Sequence, residues 1–251
     1  MTRDLQTSKT DHLKSANAGY IISDGARIYY ERYGSGTSLV LIHGNMQDAS
    51  YFKKQIEYFK AYYEVITIDS RGHGKSDFGH LRLSLDVLAE DVIKILCYLE
   101  VKRTIILGFS DGGNIAVKIA QSIPEKLIAI VAVGSNITPQ GLKLLSRISV
   151  LIGYQIANAL SNFTWFNQKA QTLALMTFEP NIPKSQLNQI FIPVLILTGQ
   201  FDVIRSKHSQ MIAKELPNSE WVVLKHSGHN LLKWQAEKAN EIIFTFLKKM
   251  T

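Results

Sequence analysis

Short, nearly unbroken apolar runs alternate with longer segments of helical period along most of the chain. The runs at 38–42, 64–68, 104–107, 129–133, 194–197 and 221–224 are rich in Val, Ile and Leu. Strands covered on both faces have this composition, because no position needs to be polar. Between them, 51–60, 85–100, 112–122, 206–216 and 231–249 repeat apolar residues at three- to four-residue spacing, which places them on one face of a helix. The alternation predicts right-handed crossovers and an α/β fold, a mostly parallel sheet with helices on both sides. Ahead of it, runs at 20–23 and 27–32 flank Asp24-Gly25, a dipeptide suited to a tight hairpin turn. The sheet is therefore expected to open with two antiparallel strands.

Residues 138–190 break the rhythm. No good strand is present, yet Leu142, Leu144, Leu145, Ile148, Leu151, Ile152, Ile156 and Leu160 keep a helical period. The segment reads as a helical insertion between two core strands, entering after a strand's C-terminal end, where open α/β sheets place their sites. The functional reading is a lid whose apolar underside lines a substrate pocket; the plainer one is extra core. The chain thus divides into a polar leader (1–18), an α/β core (19–137 and 191–251) and a helical cap (138–190).

With 251 residues, 46% apolar and 20% charged, the chain can bury one substantial core. The N-terminal stretch lacks the apolar segment of a secretory signal, and no apolar run reaches the roughly 18 residues needed to span a bilayer. A soluble, cytoplasmic protein without stable membrane insertion is expected. The formal charge of +7 comes from scattered Lys and Arg, which favours a solvated surface over a nucleic-acid or membrane-binding face. The lone Cys97 excludes an intramolecular disulfide; its neighbours Val92, Ile93, Ile95, Leu96 and Leu99 predict a packed thiol. No Cys and His cluster points to a metal, and no metal or organic cofactor is expected.

Candidate chemistry centres on Gly108-Phe109-Ser110-Asp111-Gly112, a GxSxG placed between a predicted buried strand and a helix. A nucleophile on such a turn needs small neighbours so that backbones can approach closely, and the helix N-terminus supplies positive potential to an oxyanion. Serine also needs a base and an orienting acid. Asp202 follows the 194–197 run and His229 follows the 221–224 run, which puts both on the sheet edge that carries Ser110. The backbone N–H of Asp111 is one candidate oxyanion donor; Asn45, in the loop after 38–42, supplies the second, with Met46 as the alternative. His43 and His73 lie near this edge without following the last strand. His226 ends an apolar run and reads as a strand residue. Asp69 and Asp77 precede the nucleophile, against the expected order. The Asp111 carboxylate reads as a helix cap or a partner for a cationic substrate group, and Glu179 as a solvated surface side chain or a similar partner.

His43-Gly44, the turn Asp69-Ser70-Arg71-Gly72-His73-Gly74-Lys75-Ser76, the Ser110 turn, Asp202 and His229 together resemble the α/β-hydrolase superfamily over residues 20–250. The resemblance implies an eight-stranded sheet with an antiparallel second strand and a cap after the sixth, where 138–190 falls. Asp111-Gly112-Gly113 is similar to the valacyclovir-hydrolase-like branch. The expected activity is that of a carboxylesterase-type serine hydrolase on a small-molecule ester with an apolar part. The same three residues can also cleave amides, thioesters, lactones or carbon–carbon bonds. A ligand-binding homologue without turnover is the alternative from another class.

Overall fold

The computed structural model describes residues 17–250. The expected polar leader lies outside the described residues except for its last two positions, which already belong to a strand. The strands are β1 (Asn17–Ser23), β2 (Ala26–Tyr33), β3 (Ser38–Ile42), β4 (Glu64–Ile68), β5 (Thr104–Phe109), β6 (Leu127–Val133), β7 (Val194–Gly199) and β8 (Ser219–Leu224). They form one eight-stranded sheet in the order β1-β2-β4-β3-β5-β6-β7-β8. Only β2 runs against its neighbours, antiparallel to both β1 and β4. Asp24 and Gly25 make the hairpin turn with φ of 43° and 75°, as the dipeptide requires.

The unbroken apolar runs have a simple origin. Successive strand residues point to opposite faces, and here each face has its own core. Val40, Ile42, Ile66, Ile106 and Ile196 join one core, covered by α2 (Leu85–Tyr98), α3 (Asp111–Ser122) and α7 (Ser206–Glu215). Leu39, Leu41, Val65, Leu107 and Leu197 join the other, covered by α1 (Lys53–Phe59), α8 (Leu231–Trp234) and α9 (Ala236–Leu247). The helix expected over 231–249 is thus two helices. They are separated at Gln235, whose amide donates to the Lys225 and His226 carbonyls and ties the break to the turn after β8. Cys97 is exposed rather than packed: Leu85, Leu88, Ala89, Val92, Ile95 and Leu96 fill the buried face of α2, and the next position turns away from it.

Between β6 and β7 lie α4 (Leu144–Ala159), α5 (Thr164–Phe178) and the short α6 (Lys184–Leu187). Leu175, Ile182 and Leu187 belong to the first sheet core. Helices α4 and α5 share a small core of their own, Ala157, Ala170 and Leu173, with Val150, Tyr154 and Phe166 against it. The apolar stripe of α4 is oriented opposite to expectation. Leu144, Leu145, Ile148, Leu151, Ile152 and Ile156 are all exposed and none of them lines the cavity at Ser110, whereas Leu142 of the same expected series is buried and does. The insertion starts from a backbone clasp: Lys143 N–H donates to Val203 O and Arg205 N–H to Gly141 O, both at 2.8 Å, around an antiparallel bridge between Leu142 and Ile204.

Candidate active site

Strand β5 delivers the chain to Ser110, which adopts φ 52° and ψ −118° before α3 begins. A non-glycine residue at positive φ is costly, and the turn is held from both sides. Ser110 N–H donates to Val133 O at 2.7 Å, and Ser135 Oγ donates to Ser110 O at 3.2 Å. The flanking glycines are demanded by contact. A Cβ on Gly112 would stand 1.9 Å from Ile42 O, and one on Gly108 would stand 2.2 Å from Gly112 O. The turn is thus packed into the neighbouring strand with no room for a side chain.

The structure brings Ser110, Asp202 and His229 together at the C-terminal edge of β5, β7 and β8. His229 donates from Nδ1 to Asp202 Oδ1 at 2.8 Å, and its Nε2 lies 3.3 Å from Ser110 Oγ as acceptor of the hydroxyl. The His229 ring lies 4.8 Å from the Phe109 ring centroid, and a Cβ on Gly134 would come within 2.9 Å of it. Two surfaces therefore hold the imidazole plane. Asp202 is buried, and burial alone pushes its carboxyl up. The hydrogen bond and charge of His229, with N–H groups of Ile204 and Gly199, outweigh burial and hold it below the usual carboxylate range.

The loop after β3 lies against the same serine: a Cβ on Gly44 would be 3.0 Å from Ser110 Cβ. Among the described residues, neither Asn45 N–H nor Asp111 N–H has a hydrogen-bond partner, so both candidate donors are free. Met46 sits at φ 59° and is exposed. The side chains of Asn45 and Asp111 are joined. Asn45 Nδ2 donates to Asp111 Oδ2 at 2.9 Å and to the Thr172 carbonyl of α5 at 2.7 Å. Asn114 Nδ2 donates to Asp111 Oδ1 at 3.3 Å. The Asp111 carboxylate caps no backbone N–H, which corrects the capping expectation, and burial raises its pKa against the opposing Asn45 bond.

The other candidates have different occupations. His43 donates from Nδ1 to Gly44 O and accepts at Nε2 from Ser70 N–H; burial lowers its pKa to about 4. Both nitrogens are engaged, which removes it as a base. His73 donates to the Arg71 carbonyl. His226 is exposed in the turn after β8 at φ 55°, not in the strand. Asp69 accepts from Ala49 and Lys75 N–H groups, and Asp77 pairs with Arg27. Glu179 is no solvated glutamate: it accepts from Leu85 N–H at 2.8 Å, and burial raises its pKa.

A cavity of ≈ 340 Å³ opens on Ser110 and His229, with Asn136, Leu142, Val150, Met176 and Ile204 among its lining residues. Its volume suits a small ligand, and α4 contributes Ser146 and Ser149 to its wall. A larger cavity of ≈ 520 Å³ lies against β2, where Tyr29, Glu31 and Lys75 bind one another. Among the described residues no group of three or more His, Cys, Asp or Glu is placed to hold a metal ion, and no helix is long and apolar enough to cross a membrane. The motif itself gave no signal for Asn114, Thr172 or Gly134. Of these, only Asn114 is legible in hindsight, three positions after Asp111 on one helix face.

Residues 37–148 match a family model described as alpha/beta hydrolase fold. The chain is 28% identical to a 2-hydroxy-6-oxononadienedioate/2-hydroxy-6-oxononatrienedioate hydrolase of Paraburkholderia phymatum, over 96% of this chain and 99% of that protein. It is 26% identical to a putative non-heme chloroperoxidase of Synechocystis sp., over 88% and 95%. Among solved structures, an esterase from Exiguobacterium antarcticum superposes with a TM-score of 0.80 at 22% identity, covering 92% of this chain and 99% of that one.

Proposed function

From the α/β-hydrolase fold of this chain we propose that it hydrolyses small to medium carboxylic esters through a covalent intermediate on Ser110. The observation that carries the reading is the hydrogen-bonded series Ser110 Oγ, His229, Asp202 opening on a cavity of ≈ 340 Å³. Residues 138–190 act as the cap of this cavity, since Ser146, Val150 and Met176 form part of its wall.

In the first half-reaction Ser110 Oγ attacks the ester carbonyl while its proton passes to His229 Nε2. Asp202 holds the ring with Nε2 free to accept that proton and stabilises the imidazolium. The carbonyl oxygen becomes an oxyanion held by the Asn45 and Asp111 N–H groups, each such donor being worth about 3–4 kcal/mol. Collapse expels the alcohol, which takes the proton from Nε2, and leaves an acyl ester on Ser110. Water then attacks that ester, gives its proton to His229, and the carboxylic acid departs as Ser110 recovers its proton.

A fluorophosphonate probe and a chain-length series of p-nitrophenyl esters, run beside matching amides, test the reading. Wild type is expected to be labelled at Ser110 and to turn over short acyl esters faster than long ones and faster than amides. Ser110→Ala is expected to lose both label and turnover. An unlabelled wild type, or equal turnover by Ser110→Ala, rejects it. Faster cleavage of amides keeps the nucleophile and rejects the ester assignment.

A further inference from the structure

Helix α4 carries its apolar stripe outward. Leu144, Leu145, Ile148, Leu151, Ile152 and Ile156 follow helical spacing, and Leu145 is 80% and Ile152 54% exposed. The inward positions are instead small or mixed, Ser146, Val150, Tyr154 and Ala157. A contiguous apolar face of this kind on a water-exposed helix marks a docking surface. Phe163 and Trp165, just beyond its C-terminal end, are exposed at 65% and 64%, and Trp favours the boundary between water and lipid.

Charge identifies the occupant. Residues 138–178 contain Lys143, Arg147 and Lys169 and no acidic residue, in a chain of formal charge +7. Lys143 and Arg147 flank the stripe and are exposed. A second copy of the chain seated on this face would bring its own cations against these with no carboxylate in the segment to offset them. An anionic surface has the complementary charge. The 16 residues of α4 extend about 24 Å, too short to cross and suited to lying in the plane of the interface. We propose that the outer face of α4 docks the protein on anionic phospholipid membranes. The opposite side of the same helix borders the Ser110 cavity, so docking places that cavity beside the lipid surface. The proposal is independent of which bond is cleaved.

The test is cosedimentation with vesicles of phosphatidylcholine containing about one-third phosphatidylglycerol, beside pure phosphatidylcholine. Binding is expected to the anionic vesicles and to fall as salt rises from about 50 to about 500 mM. Leu145→Glu/Ile152→Glu is expected to bind more than about tenfold more weakly, with unchanged circular dichroism and unchanged turnover of a soluble ester. Arg147→Ala, a milder surface change, is expected to weaken binding about fivefold. No binding at low salt, or binding undiminished in both variants, overturns the proposal. So does a dimer in size-exclusion chromatography that the double variant dissolves while neither form binds vesicles.

Discussion

At the scale of single residues, the Asn45 amide is the contact that ties the loop after β3 to Asp111 and to α5. Its Nδ2 holds Asp111 Oδ2 and Thr172 O, so one side chain links the two residues whose N–H groups are the proposed oxyanion donors and ties both to α5. Asn45→Ala is expected to lower kcat about 10- to 100-fold, less than the complete loss of a donor, with KM little changed. Equal losses in binding and turnover would contradict a positioning role. The substitution also has a pH signature. Burial raises the Asp111 pKa and the Asn45 bond opposes it. A carboxyl whose folded pKa is raised contributes stability that is present below its unfolded value, about 3.9, and lost as pH rises through the folded pKa. Removing Asn45 raises that pKa further, so the melting-temperature deficit of Asn45→Ala is expected to widen from about pH 4 to pH 7. A constant deficit would refute this. Asp202 has the opposite sign: its depressed pKa gives stability that is lost as pH falls through the folded pKa. Asp202→Asn is expected to cut kcat by about 10⁴ because the amide favours the tautomer with its proton on Nε2, which cannot accept the Ser110 proton; stopped-flow acylation measures this directly.

At the scale of elements, α4 and α5 stand partly apart from the rest. Their shared core of Ala157, Ala170 and Leu173 is separate from both sheet cores, and such a unit opens at lower free energy than the whole. Leu173→Ala is expected to cost about 2–4 kcal/mol within that unit. Amide exchange should quicken across 144–178 while β5 and β6 keep their protection; uniform quickening would show that the segment does not open alone. Helix α4 also marks where sequence stopped being informative. Periodicity tells which residues share a face, and the stripe Leu144 to Ile156 was legible on that ground. It does not tell which way the face points, because that depends on partners distant in sequence. The buried strands and the Ser110 turn were legible because their constraints are local: unbroken apolar runs, and glycines with no space for a Cβ. The Asp111 partners were not, since Asn45 and Thr172 lie 66 and 61 positions from it and only the folded chain brings them near. Cys97 failed for a smaller reason, one position's rotation beyond the filled face of α2.

At the scale of the whole molecule, one buried ion pair joins three distant parts of the chain. Arg71, in the turn after β4, donates from Nε and Nη2 to both Asp91 oxygens on α2 at 2.8 and 2.7 Å. The same Nη2 donates to Ser23 O at the end of β1 at 2.8 Å. Both side chains are essentially without solvent contact, so neither charge can be relieved by water if its partner is removed. Arg71→Met leaves Asp91 buried and uncompensated and is expected to cost about 3–5 kcal/mol. Removing both charges, as in Arg71→Met/Asp91→Leu, removes the desolvation cost along with the attraction and is expected to recover most of that loss. Urea denaturation of wild type, both single variants and the double variant closes the cycle. Since neither Arg71 nor Asp91 lines the cavity at Ser110 and His229, turnover per folded molecule is expected to stay unchanged in the double variant. If the double variant is as unstable as Arg71→Met, the pair's contribution lies in the Ser23 carbonyl bond that holds the hairpin. Arg71→Lys, which keeps the charge but loses the bidentate fork, then separates geometry from charge.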